Sequence, residues 1–316
     1  MRIVSLIPSA TEILFSLGLD HEIVGVSHEC DYPPRAKTKT AVIRSRIPEG
    51  TRPAEIDRLV RDFVSKGESP YAVQAQILEE LAPNLIVTQD LCHVCAASPD
   101  DLATVLSRFD RRPEVLCLNP QDLGDVWRDI LWVGEETGHS ARAQSILEKI
   151  GLRLGEIELE VENTRERPSV VLLEWLQPFY VGGHWVPEMI HKAGGEDVFG
   201  TPRTPSFRVN PKDVIAAAPD VLLVACCGYD AEQARHECQC LPLPRAWDDI
   251  PAVRDNRVYA LEASSYFSRP GPRLVTGIEA LAKLFHPGIE VSSEAEHAVT
   301  PMHAAVRTPA TSAASA

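Results

Sequence analysis

The chain has 316 residues, of which 44% are hydrophobic and 24% charged, and its formal net charge is −14. That length accommodates two domains of ordinary size, each with its own core. The acidic excess forfeits the phosphate counterion term that drives nucleic-acid binding, and it disfavours anionic membrane surfaces. The longest apolar runs, such as Val221 to Cys227, fall far short of the roughly 20 residues a membrane span needs, so membrane insertion is not expected.

In chain order, Ile3–Leu6 reads as a strand, and Thr11–Leu19 as a helix with Ser9 ahead of it as N-cap. This opening lacks the run and cleavage site of a secretory signal. The expectation is a cytoplasmic protein, or a periplasmic one if the true start lies upstream. Strand-like runs follow at Glu22–Ser27, Leu85–Thr88 and Val115–Leu118, with helical patterns at Ala72–Leu81 and Asp101–Phe109 between them. Strands that alternate with helices imply a parallel sheet covered on both faces.

Residues 119–165 carry two helical stretches. Gln121–Glu136 forms one stretch and Ser140 to about Asn163 a longer one, with Ala143, Ile146, Leu147, Ile150, Leu154, Ile157 and Val161 at helical spacing. At about 1.5 Å per residue the second helix is roughly 35 Å long, enough to bridge two lobes. The α/β rhythm then resumes. Strands are expected at Ser169–Glu174, Val221–Ala225 and Arg257–Leu261, and helices at Val186–Ala193, Asn210–Ala218 and Arg273–Phe285. The resulting division is an N-terminal lobe over 1–118, a helical linker over 119–165 and a C-terminal lobe over 166–287. Residues 288–316, rich in Ser, Ala, Thr and Pro, read as a disordered tail.

Ligands of parallel α/β sheets bind beyond the carboxyl ends of the strands. The segments there include His28-Glu29-Cys30, the run from Gln89 to Cys95, Trp175 to Tyr180, Gly182 to Trp185, Cys226 to Tyr229, and Ser264 to Arg269. Trp175, Phe179, Tyr180, Trp185, Tyr229, Tyr266 and Phe267 are suited to walling a large flat ligand, with His184 a polar group among them and Arg269 a directional donor for its acids or amides. Cys30, Cys92, Cys95 and Cys227, in segments expected to share the cleft, match the donor set of a zinc ion or an iron–sulfur cluster. The alternative for each cysteine is a buried small hydrophobe. His28 and His93 lie in the same segments without the partners that would mark them as metal ligands. No nucleophile elbow, Walker loop or dinucleotide fingerprint is present, so an enzyme is not expected, although the C-x-x-C of Cys92 and Cys95 leaves a redox role open.

Several strings together resemble the periplasmic binding proteins for vitamin B12 and iron–siderophore complexes, the class III substrate-binding proteins of ABC transporters. They are SLIPSATEILFSLGL from Ser5, CDYPP from Cys30, APNLIVTQ from Ala82, AGGEDVFG from Ala193, APDVLLVA from Ala218, and FSRPGPRLVTGIEALAKLFHP from Phe267. The resemblance runs nearly to Pro287 and is nearest to the cobalamin-binding branch. It implies two Rossmann-like α/β lobes with parallel sheets, joined by one long helix, with cobalamin or a related metal chelate held between them. It also implies delivery to an ABC permease. In such transport proteins a carboxylate at the position of Glu12 docks on the permease, which makes Glu12 the docking residue if the chain is exported. The rival reading is a cytoplasmic metalloprotein that uses the four cysteines as sensor, carrier or redox centre.

Overall fold

The computed structural model describes residues 1–89, 99–164 and 166–302. In the first lobe the elements are β1 (Ile3–Ser5), α1 (Pro8–Ser16), β2 (Ile23–Ser27), β3 (Thr40–Ser45), α2 (Pro53–Ser65), β4 (Tyr71–Val73), α3 (Ala75–Leu81), β5 (Leu85–Gln89), α4 (Pro99–Leu106) and β6 (Glu114–Leu118). The sheet order is β4-β3-β2-β1-β5-β6, parallel except where β4 lies antiparallel on β3. Pro8, whose missing N–H costs nothing at a first turn, opens α1 two residues earlier than Ser9 suggests. Tyr71–Val73 is strand rather than helix, because it pairs with β3.

Two helices connect the lobes, α5 (Leu123–Glu136) and α6 (Ser140–Glu162). Asp122 caps α5 by accepting the Asp125 N–H at 2.7 Å. The two helices cross closely: a Cβ on Gly134 would stand 2.5 Å from that of Ala143, so only glycine fits there. Early in α6, Arg142 donates to the Ser16 carbonyl at the end of α1. Farther along, Arg153 forms a bidentate pair with Glu279 in the second lobe, both contacts 2.6 Å.

The second lobe contains β7 (Ser169–Leu176), β8 (Phe179–Val181), α7 (Val186–Lys192), β9 (Glu196–Asp197), β10 (Phe207–Arg208), α8 (Pro211–Ala217), β11 (Val221–Val224), α9 (Ala231–Gln239), α10 (Pro251–Arg254), β12 (Val258–Leu261), α11 (Ala263–Tyr266), α12 (Leu274–Phe285), α13 (Ser293–Glu296) and β13 (Val299–Pro301). Its sheet runs β10-β8-β7-β11-β12-β13, with β9 beside β7. The centre, β7-β11-β12, is parallel, but β8 folds back antiparallel on β7 and β13 lies antiparallel on β12. The sheet is therefore mixed rather than purely parallel.

One apolar core runs through both lobes and the connecting helices. It joins Ile3, Ile13 and Leu14 to Val126 and Ile130 of α5, to Ile150, Leu154 and Ile157 of α6, and to Met189, Ile190, Leu274 and Ile278. Two separate clusters fill the far faces of the sheets. Within this interior Asp129 is an exception, since it is buried and its Oδ2 has no hydrogen-bond partner.

The segment after Gly288 departs from the expected tail. Ala295 and Ala298 pack on Ala280 of α12, and β13 completes the sheet edge. Ser292 caps α13 and donates 2.6 Å to Glu279. A chain ended at Gly288 should lose this burial and the β12–β13 ladder. The expected cost is roughly 2 kcal/mol, or about 3 °C in Tm by calorimetry.

Burial raises the Asp129 carboxyl to about pH 7, against the opposing charge of Arg128. The folded chain therefore retains a proton that the unfolded chain releases near pH 3.8, and stability falls as pH rises through that window. Asp129→Asn should raise Tm most at pH 8, with the gain shrinking towards pH 4.

Candidate functional site

Segments that follow parallel strands of the two lobes are in contact. Past β2 the chain runs through His28, Glu29, Cys30, Asp31 and Tyr32. Past β12 it forms α11 and the turn from Phe267 to Arg273. A cluster of charges joins these two segments.

Glu12, on α1, is 3% exposed. Arg273 grips it with both arms of its fork, Nε to Oε2 at 2.8 Å and Nη2 to Oε1 at 2.6 Å. Arg269 lies 3.5 Å from the same carboxylate, donates to Asp31 Oδ1 at 2.5 Å and reaches the Glu29 carbonyl at 3.2 Å. The guanidinium of Arg273 sits 3.8 Å from the ring centre of Tyr32 in one lobe and 5.4 Å from that of Tyr266 in the other. Both contacts are cation–π arrangements. A Cβ on Gly277 would meet the Tyr266 carbonyl at 2.3 Å, so the close approach of α12 to α11, which positions Tyr266, depends on glycine.

Burial raises the Glu12 carboxyl above its usual range, against the pull of Arg273 and Arg269. Asp31 behaves oppositely: burial works to raise it, but the hydrogen bond and charge of Arg269 prevail and hold it low. Glu29, beside them, is raised by burial, against the charges of His28 and Arg269.

A second group of predicted residues gathers at the carboxyl edge of the second lobe. Trp175 donates its Nε1–H to the Gln177 carbonyl at 3.1 Å, and its ring centre is 5.9 Å from that of Tyr229. Tyr180 pairs opposite Trp175 across the β7–β8 hairpin. His184 takes a left-handed backbone, φ +53°, with its ring stacked on Trp185. Its Nδ1 is buried without a partner, and burial lowers its pKa, which keeps the imidazole neutral near pH 7. Tyr266 also lines a cavity of about 320 Å³ with Glu262, Ser265, Ser293, Glu294 and His297.

Three of the predicted ligand contacts belong to the interior instead. Phe179 is buried on β8 against Trp247, ring centres 5.7 Å apart. Trp185 is buried with its indole N–H donated to the Phe267 carbonyl at 2.8 Å, and Phe267 is 1% exposed. Side chains already covered by protein leave no face for a ligand. Glu12 is corrected in the same way, because a carboxylate buried beneath two arginines is not free to dock on a permease.

Of the four proposed metal ligands, Cys92 and Cys95 lie outside the described residues, as does His93. Cys30 is buried with the Thr11 hydroxyl 3.0 Å from its sulfur, and burial pushes its thiol up to about 12. A metal ligand needs a thiolate, and this environment opposes one. Cys227 is exposed on the other lobe. Among the described residues no three His, Cys, Asp or Glu side chains are placed to hold a metal ion.

Sequence reasoning missed Asp31, Tyr32 and the cross-lobe role of Arg273. The signal lay in the pair of arginines around Pro270-Gly271-Pro272 and the solitary charged residue of α1.

Comparison with known proteins accords with this architecture. The family model described as "Periplasmic binding protein" matches residues 80–264. The vitamin B12-binding protein of Vibrio cholerae is 24% identical over 305 residues, covering 88% of this chain and 86% of that protein. Among solved structures, a periplasmic heme-binding protein from Pseudomonas aeruginosa superposes with a TM-score of 0.72 at 18% identity, covering 95% of this chain and 97% of that one. The periplasmic vitamin B12-binding protein of Vibrio cholerae does so with 0.65 at 21% identity, covering 90% and 96%. At these identities the superpositions speak for the fold alone. With more than half its length matched by the family model, and with two α/β lobes each built on its own sheet, this chain is a member of the periplasmic binding protein family.

Proposed function

We propose that the chain binds cobalamin or a related tetrapyrrole–metal chelate in the gap between its lobes, by capture rather than turnover. The observation that carries this reading is the pair of tyrosines, Tyr32 and Tyr266, one from each lobe, flanking a guanidinium where the two lobes meet. Arg273 takes one face of each ring, and the exposed remainder of Tyr32, with Arg269, Trp175, Tyr180, Tyr229 and His184 along the second lobe, suits contact with a flat macrocycle. The relatives named for vitamin B12, which match the chain over most of its length, support the same ligand class.

Delivery of that ligand to an ABC permease is part of the proposal, since one matching protein of Bacillus subtilis is named as an ABC transporter substrate-binding lipoprotein. The docking surface would then exclude Glu12. No helix among the described residues is long and apolar enough to cross a membrane. The expected cytoplasmic location finds no support among these relatives, whose names point to the periplasm or a lipid anchor, and action outside the cytoplasm is the reading we adopt.

Titration with cyanocobalamin, followed by tryptophan fluorescence or calorimetry, should give saturable one-to-one binding. Tyr32→Ala and Tyr266→Ala should each weaken it by roughly 5–10-fold, the loss of one aromatic contact worth about 1 kcal/mol. Absence of binding at high micromolar concentration, with cyanocobalamin and hemin alike, would overturn the reading.

A further inference from the structure

Counting the charges between the lobes leaves a remainder. Glu12 is one carboxylate with its side chain 2% exposed, and it serves two guanidiniums that are themselves mostly covered, Arg269 at 14% and Arg273 at 15%. Arg273 takes both oxygens of Glu12 at hydrogen-bond distance, while Arg269 stands farther off at 3.5 Å. One positive charge, on Arg269, is therefore left without a dedicated buried partner. Asp31 covers it at 2.5 Å, but from the outside, with its side chain 46% exposed. The other groups near this point are Glu29, which offers Arg269 its backbone carbonyl and whose half-exposed carboxyl also acts on it by charge, the buried Cys30, His28 beside Glu29 at 3.9 Å, and Lys37, whose charge acts on Asp31.

The two carboxylates hold Arg269 on very different terms. Withdrawing Glu12 would strand a buried charge, which is among the most costly changes a fold can undergo. Withdrawing Asp31 breaks only a half-solvated ion pair, and such pairs contribute little. An anion that enters the gap and excludes water has more to offer Arg269 than Asp31 has.

We propose that Asp31 is an exchangeable counterion: it occupies Arg269 in the free protein and yields to an acidic oxygen of the ligand, so that the site selects chelates bearing an anionic group. Glu12 keeps its place throughout and fixes the arginines. This rests on the binding reading above and adds the ligand's charge class to it. The acidic oxygen is either a phosphodiester, as in the nucleotide loop of cobalamin, or a carboxylate, as in the propionates of heme. Arg269 is suited to both because its planar fork matches two-oxygen anions.

The test compares ligands that differ only in the acid. Cobalamin is set against cobinamide, which lacks the phosphodiester, and hemin against its dimethyl ester, with wild type, Asp31→Asn and Arg269→Gln in parallel. The expected result is a preference for the acidic member of at least one pair, enlarged about tenfold in Asp31→Asn and abolished in Arg269→Gln. The pair that shows the preference identifies the source of the anion. Equal preferences in wild type and Arg269→Gln would overturn the proposal while leaving chelate binding standing. A second measurement needs no chelate. Pyrophosphate should raise the Tm of Asp31→Asn more than that of wild type, and should not raise that of Asp31→Asn/Arg269→Gln. Failure of all chelates to bind together with this Tm pattern would sink the ligand class and keep the exchange, whereas identical Tm responses in the three proteins would sink the exchange.

Discussion

One buried carboxylate organises the meeting of the lobes. Glu12 is placed by α1, at the start of the first lobe, and its partners come from the beginning of α12, 261 positions along the chain. A charge so covered is tolerated only when its partners are fixed, and the surroundings supply that fixity. Tyr32 and Tyr266 hold Arg273 from two sides, and α12 is seated by the glycine contact behind Tyr266. The placing of the two lobes against each other follows from this contact and from the shared apolar core.

Much of the framework was legible because periodicity alone decides it. The runs at Leu85–Gln89 and Val221–Val224 are buried along their whole length, and the apolar stripe of α6 predicted a helix that the structure bounds at Ser140 and Glu162. Elements with a weak apolar signal were not legible. In β3 only Val42 and Ile43 are buried, which leaves no clear alternation, whereas α2 was overlooked although Ile56, Leu59, Val60, Phe63 and Val64 stand at helical spacing. Tyr71 and Val73 are strand formers, and they pair with β3 rather than extend α3 backwards from Ala75. Composition alone also made a tail of residues 288–302, since alanines read as structureless until a partner such as Ala280 is known.

The site shows the same division in sharper form. The strand-end rule located the right segments but not which face of each residue looks out. Phe179 went astray because the chain turns back as a hairpin there, so a residue expected in a loop became the interior of a sheet. Trp185 and Phe267 satisfy each other through an indole–carbonyl bond, a pairing 82 positions apart that no local pattern reveals. Glu12 read as a docking carboxylate because its arginines are remote in sequence. Cys30 illustrates a different limit: a thiol beyond a strand end suggests chemistry, yet its burial and the neighbouring Thr11 hydroxyl leave it a small polar-capped hydrophobe.

The continuous core has a bearing on how occupancy could be reported to another molecule. Two lobes fused through α5, α6 and α12 cannot swing apart without exposing Leu154, Ile157 and Ile278 to water. The outline of the protein is then nearly the same whether the gap is full or empty. A partner that must distinguish the two has little change of shape to read, and the information left to it is electrical: which carboxylates at the rim are bare, and which are covered.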